Sequence, residues 1–264
     1  MAGTVTATPA DGGVVCVTLD HAGKFNAMSR AMWRSLRSVF EGIQQDAGVR
    51  CVVLRGQGGH FCAGGDIAEY ADFRFEEASL RDFHENDVWG GLQALLDCDV
   101  PIVAQIDGNC MGAGVEIASC SDIRIASDTA RFGAPIAKLG FPMAPREAAL
   151  VTHAVGELTA REMLLSAAVL DAAEMHRRGF LNQVVAANAL GATVDASVQR
   201  MCGLAPQAAR MNKQTFRALA PVAINNDATN WIANAYRYAD SAEHREGVMA
   251  FTEKRPPRFH RLTD

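Results

Sequence analysis

The sequence predicts an α/β fold with largely parallel strands, followed by a helical C-terminal part. Up to about residue 145, short apolar strands alternate with amphipathic helices, the pattern of strand–helix–strand crossovers. Beyond that point nearly every segment reads as helix, and FLNQVVA (180–186) alone resembles a strand. Residues 1–200 are therefore expected to form a core of repeated ββα units, with 201–264 as a helical C-terminal region.

The elements follow in order. GVVCVTLDHAG (13–23) reads as a β-branched strand ending in a turn. Across 28–48, Met28, Met32, Leu36, Val39, Phe40 and Ile43 recur at helical spacing, with Ser29 placed to cap the helix and Gly48 to close it. VRCVVLRGQG (49–58) is a short apolar strand that runs into a glycine-rich loop. Residues 76–97 carry charge around an apolar stripe and read as helix. VPIVAQIDG (100–108) is a second buried strand, followed by a small-residue loop, a helix and the strand SDIRIASD. After 145, REAALVTHAVG, TAREMLLSAAVL, DAAEMHRRG, ATVDASVQRMCGLA, PQAARMNKQTFRALA and the final stretch all read as helices.

Composition narrows the function. The 264 residues are 49% hydrophobic and 21% charged, with a net charge of −5, which gives no support to nucleic-acid binding. Local basic clusters could still hold a small phosphorylated ligand. Seven cysteines occur without a CxxC or a metal-type Cys/His spacing, so buried, reduced thiols and no metal site are expected. Residues 1–13 have neither the charged nor the apolar region of a signal peptide, and no apolar run reaches membrane-spanning length. A cytoplasmic protein is expected.

Two loops stand out, HFCAGGDI (60–67) and DGNCMGAGVEIA (107–118), each where a strand hands over to a helix. Backbone N–H groups at a helix start lack an internal partner and carry partial positive charge. Small residues would let a ligand oxygen approach them, and two such sites on one carbonyl oxygen would form an oxyanion hole. Tight packing is the competing explanation for either loop. Neither loop fits a dinucleotide fingerprint or a P-loop.

These loops, with HAGKFNAMS, ARFGAPIAKLG, AREMLLSAAVLDAAEMHRRGFLNQVV and GVMAFTEKRPPRF, resemble the crotonase (enoyl-CoA hydratase/isomerase) superfamily along nearly the whole chain. The resemblance implies a spiral of ββα units that binds an acyl-CoA thioester, with coenzyme A present only as part of the substrate. It also implies a homotrimer or dimer of trimers, with a C-terminal helical trimerisation region. The hole N–H groups would fall on Gly65 and on Ala113, where the family usually has glycine; Ala63, Ile67 and Gly112 would flank them. Glu116 matches one of two glutamates with which the family's hydratases position water and move protons. Alternatively, an acid in a first helical turn simply complements the helix dipole. Lys24 and Lys254, with Arg255, match positions that contact coenzyme A phosphates, or are solvated surface charges. Asp66 is expected to fix its own loop, and Asp122 to be structural.

One departure matters. The family's second glutamate follows the proline of RFGAPIAKLG, where this chain has Ile136, with no acid at 140–143. Glu147, in PREAAL, is expected to cap its helix, although it could swing toward the site. His84 and Glu85 lie on the helix expected near the acyl pocket, or on a solvated face of it, and the solvated face is the expectation. Phe83, Trp89 and Met111 could line an acyl pocket or belong to the core. The resulting expectation is hydration of a 2-enoyl-CoA with Glu116 as the one clear acid–base. Isomerisation, decarboxylation or hydrolysis of an unusual acyl-CoA, or a weakly active acyl-CoA-binding subunit, are the alternatives.

Overall fold

The computed structural model describes residues 2–219 and 235–258. Its strands are β1 (Thr4–Ala10), β2 (Val14–Asp20), β3 (Cys51–Gly56), β4 (Ile102–Ile106), β5 (Asn109–Met111), β6 (Ile123–Ser127), β7 (Arg131–Gly133), β8 (Val169–Asp171) and β9 (Gln183–Val185). The larger sheet runs β1-β2-β3-β4-β6-β9, and β5-β7-β8 form a smaller one. In the larger sheet only β1 and β2 are antiparallel; β2, β3, β4, β6 and β9 run parallel, with Val14 beside Cys51, Val52 beside Ile102 and Val103 beside Ile123.

Strand alternation sends neighbouring residues to opposite faces. Val52, Leu54, Ile102 and Ala104 join the main core, whereas Cys51, Val53, Val103 and Ile125 face a second cluster. The main core is roofed by α1 (Arg30–Gln45), α3 (Trp89–Asp97) and α4 (Ala113–Ser119), with α2 (Glu77–Asp82) preceding α3. Helix α1 buries Met32, Trp33, Leu36, Phe40 and Ile43, and the Ser29 side chain accepts from the Met32 N–H. Its N-cap is where the sequence places it. The helix ends at Gln45, with Asp46 as its C-cap, rather than at Gly48, and Met28 lies before it, bridged to Gly65.

The remaining helices are α5 (Pro145–Val155), α6 (Glu157–Ser166), α7 (Ala172–Arg177), α8 (Leu190–Cys202), α9 (Pro206–Leu219) and α10 (Ala242–Thr252). Leu190, Val194 and Val198 of α8 cover the sheet's second face. Part of the expected final helical stretch lies outside the described residues.

Several expectations need correction. The run TAREMLLSAAVL is not all helix, because α6 stops at Ser166 and β8 follows. The 76–97 helix is interrupted by a wide π-type turn at Phe83–Val88. Strands β1, β5 and β7 were not expected either: β1 buries only Val5, and β5 and β7 are three residues each. No described helix is long and apolar enough to cross a membrane.

Candidate active site

The two strand-to-helix loops leave the carboxyl ends of β3 and β4 and pair with each other. The N–H groups of Phe61 and Cys62 donate to the Asn109 carbonyl at 3.1 and 2.8 Å, and the Met111 N–H donates to the Cys62 carbonyl at 2.9 Å. This pairing changes the explanation for the small residues. A Cβ on Gly114 would stand 2.6 Å from the Cys62 carbonyl oxygen, and one on Gly108 2.4 Å from that of Gly59. Those glycines are demanded by loop-to-loop packing, not by ligand approach. Gly112 holds φ +48°, a backbone that side chains rarely adopt.

The packed loops present Gly65 and Ala113 on the wall of a cavity of about 810 Å³. Among the described residues neither N–H donates to a backbone carbonyl. Gly65 rests against the Tyr70 hydroxyl, where an added Cβ would be only 2.0 Å away. Ala113 opens α4, and Ala63, Ile67 and Gly112 flank the pair on the same wall.

Glu116 also faces this cavity, one turn into α4 and only 8% exposed. Burial holds its carboxyl well above the usual carboxylate range. The charge of Glu147 adds to that rise, and the Arg74 guanidinium opposes it. Ile136 lies on the same wall as an apolar, half-buried side chain.

The second carboxyl of the cavity comes from Glu147. It does cap α5, since Oε2 accepts from the Ala144 N–H at 3.1 Å. It is also 2% exposed, lines the cavity, and places Oε1 3.0 Å from His84 Nδ1. Burial pushes Glu147 up to about 8, with Arg74 and the Ala144 N–H pulling it back. His84 is not on a solvated face. It sits in the π-type turn, buried, and burial holds its imidazole neutral by lowering its pKa well below the usual value. Its Nε2 has no partner among the described residues. Glu85, its neighbour, points elsewhere: it accepts from the Tyr236 hydroxyl at 2.7 Å and meets Arg146 at 3.3 Å.

The other residues sort as follows. Lys24 lines the cavity but bonds Asp66 at 2.6 Å, and Asp66 Oδ1 accepts from the Ala68 N–H at 3.3 Å. Lys254 is on the wall, whereas Arg255 is engaged by Glu246 and Glu253. Phe83 and Met111 line the cavity; Trp89 does not, and the Arg146 guanidinium lies 5.7 Å over its ring. Asp122 accepts from the Ile102 N–H and pairs with Lys213. All seven cysteines are free, and burial raises the thiols of Cys62 and Cys110, the first to about 12. No described cluster could hold a metal ion. Arg74 and Tyr70 are the cavity groups that the sequence alone did not bring forward; it offers Glu147 as a helix cap able to swing toward the site and His84 on a helix near the acyl pocket, and both line the cavity. A charged residue within FRFEEA resembles surface, and only tertiary contacts bury it.

A Gly/Ala pair of N–H groups beside a buried glutamate, on a parallel sheet, defines a class of protein. The chain belongs to the enoyl-CoA hydratase/isomerase family, whose sequence pattern matches residues 10–261. A probable enoyl-CoA hydratase of Mycobacterium tuberculosis is 31% identical over 92% of this chain and 93% of its own. The mitochondrial methylglutaconyl-CoA hydratase of Mus musculus is 30% identical over 94% of this chain and 79% of its own. Among solved structures, an enoyl-CoA hydratase/carnitine racemase from Magnetospirillum magneticum superposes with TM-score 0.80 at 32% identity, covering 98% and 96% of the two chains. A methylmalonyl-CoA decarboxylase superposes at 0.84 with 25% identity, covering 97% of each. The fold is the crotonase fold.

Proposed function

We propose that this enzyme hydrates the double bond of a 2-enoyl-CoA, and that Glu116 and Glu147 share the proton transfers. The observation that carries this reading is the second buried carboxyl in the Glu116 cavity, supplied by α5 where Ile136 leaves the family's usual position apolar.

The thioester oxygen would accept from the N–H groups of Gly65 and Ala113, which stabilise it as negative charge develops. The ionised member of the pair takes one proton from water as the water oxygen bonds to the β-carbon. The enolate then collapses, and the protonated member gives a proton to the α-carbon. Two nearby carboxyls favour this division, because ionising one raises the other. The Ile136 side chain leaves room for an apolar part of the acyl group. Lys254, and Lys24 beside Asp66, would serve the coenzyme A phosphates. A homotrimer or dimer of trimers is part of the proposal; exposed Leu158, Leu165, Phe216 and Leu219 on α6 and α9 support an interface.

Decarboxylation is the second reading, favoured by the likeness to a methylmalonyl-CoA decarboxylase and by Ile136. Losing carbon dioxide generates the same enolate and needs one proton donor only. The deciding experiment follows loss of the conjugated enoyl-thioester chromophore with crotonyl-CoA and longer 2-enoyl-CoA substrates. Turnover by the wild type that drops ~10³-fold in Glu116→Gln, with binding of saturated butyryl-CoA retained, supports hydration. No wild-type turnover on any chain length overturns it.

A further inference from the structure

The Tyr70 hydroxyl is a polar group of the cavity that the hydration scheme does not use. Tyr70 sits in the short turn Ile67–Asp72 that follows Asp66, is 6% exposed, and lines the cavity. Its ring is fixed by packing. The Phe73, Phe83 and Phe141 rings meet it edge-on, each with centroids 5.9 Å away, and the Arg74 guanidinium lies 4.2 Å from its centre. The hydroxyl at its tip makes no hydrogen bond among the described residues. Nor is it sealed in protein as His84 Nε2 is, so it opens on the cavity. A buried hydroxyl normally has a partner, because leaving its hydrogen bond unmade costs stability.

The place of this hydroxyl is built into the loop. Gly65 has no left-handed backbone that would call for glycine. A Cβ there would instead stand 2.0 Å from the Tyr70 oxygen, so the hydroxyl occupies the space of a side chain at position 65. Burial pushes the hydroxyl up to about 12, with the Arg74 guanidinium pulling it back. Its proton therefore stays on at neutral pH and is available to donate.

We propose that the Tyr70 hydroxyl is a third donor to the thioester oxygen, beside the N–H groups of Gly65 and Ala113. This rests on the acyl-CoA reading above and adds a side chain to a hole that the reading builds from two backbone groups. An oxygen seated about 2.9 Å from the Gly65 nitrogen lies within reach of a hydroxyl that already rests on Gly65. With no partner in the protein, the hydroxyl hydrogen is free to turn toward that oxygen. The ring is held before the ligand arrives, so the donor needs no reorganisation as negative charge develops. The guanidinium over the ring draws charge from the hydroxyl and makes it a stronger donor.

The test is Tyr70→Phe, which removes the hydroxyl and keeps every ring contact. The first measurement is isotope-edited infrared spectroscopy of butyryl-CoA, labelled with carbon-13 at the thioester carbonyl and bound to the full chain. This saturated ligand cannot be hydrated, so the result is independent of the reaction assigned above. Binding is expected to lower the carbonyl stretch in the wild type, and Tyr70→Phe to give back a resolvable part of that shift. On crotonyl-CoA, kcat should fall ~10-fold or more with KM within about 3-fold, the mark of a bond that strengthens in the transition state. The melting temperature should stay the same or rise, since no other group loses a partner. The same carbonyl stretch in both proteins would overturn the proposal. So would a clear drop in melting temperature, which would show that the hydroxyl is bonded within the fold. A wild type that hydrates no 2-enoyl-CoA but keeps the Tyr70-dependent stretch would leave the third donor standing, whereas failure to bind any acyl-CoA would overturn both readings.

Discussion

The two carboxyls of the cavity are held in opposite ways. Glu116 is delivered by the glycine-rich loop and α4, and its carboxyl accepts no hydrogen bond among the described residues. Glu147 is tied at both oxygens, to the Ala144 N–H and to His84. In the proposed hydration the first is free to follow a proton between water and substrate; the second is oriented by partners from α5 and from the π-type turn. On the proposed reading, the site keeps two carboxyls with Ile136 at the family's usual second position because another helix start faces the same cavity.

The comparison breaks most severely if the thioester is no longer held, because both carboxyls then lose their target. Gly65→Ala places a methyl against the Tyr70 hydroxyl, which forces the loop aside. A loss of ~10²-fold or more in kcat on crotonyl-CoA is expected, as for removal of one oxyanion-hole donor. Retained kcat would show that this N–H is not part of the hole.

A smaller effect separates the two carboxyls. His84→Phe removes the partner of Glu147 Oε1 and leaves Glu116 untouched. About a 10-fold fall in kcat is expected with KM nearly constant, and His84→Asn, which can still bond the carboxyl, should recover part of it. Equal activity of the Phe and Asn variants would mean that His84 only fills space.

The smallest effect is on stability. Burial raises Glu147 from 4.5 to about 8, so the native state holds a proton that the unfolded chain has released. This contribution is fully present below about pH 4.5 and is lost as pH rises toward 8. Chemical denaturation should show wild-type stability falling across that window, and Glu147→Gln should flatten part of the slope. The same slope in both proteins would contradict the burial argument.

How much of this was legible in the sequence depends on how local each signal is. The strands β3, β4 and β6 and the positions of Gly65, Ala113 and Glu116 lie in contiguous motifs with apolar runs on either side, whereas the order in which the strands pair comes from the fold. The capping of α5 by Glu147 was also readable, because it spans three residues. Its second contact was not, since His84 comes from 63 residues earlier. Arg74 was hidden for a similar reason: its partners Tyr238 and His244 lie more than 160 residues away. Strand β1 escaped because, with Val5 alone buried, it shows no alternation, and Pro9 reads as a breaker.

The central claim is that Glu147 supplies the carboxyl missing at position 136. The most direct measurement is kcat for 2-enoyl-CoA hydration in Glu147→Gln and in the double variant Ile136→Glu with Glu147→Gln. The account expects the single variant to lose ~10²-fold and the double variant to regain part of that loss, since a carboxyl returns to the same cavity from the other wall. A Glu147→Gln enzyme within about 3-fold of wild type would contradict it, and Glu116 would then carry both proton transfers alone.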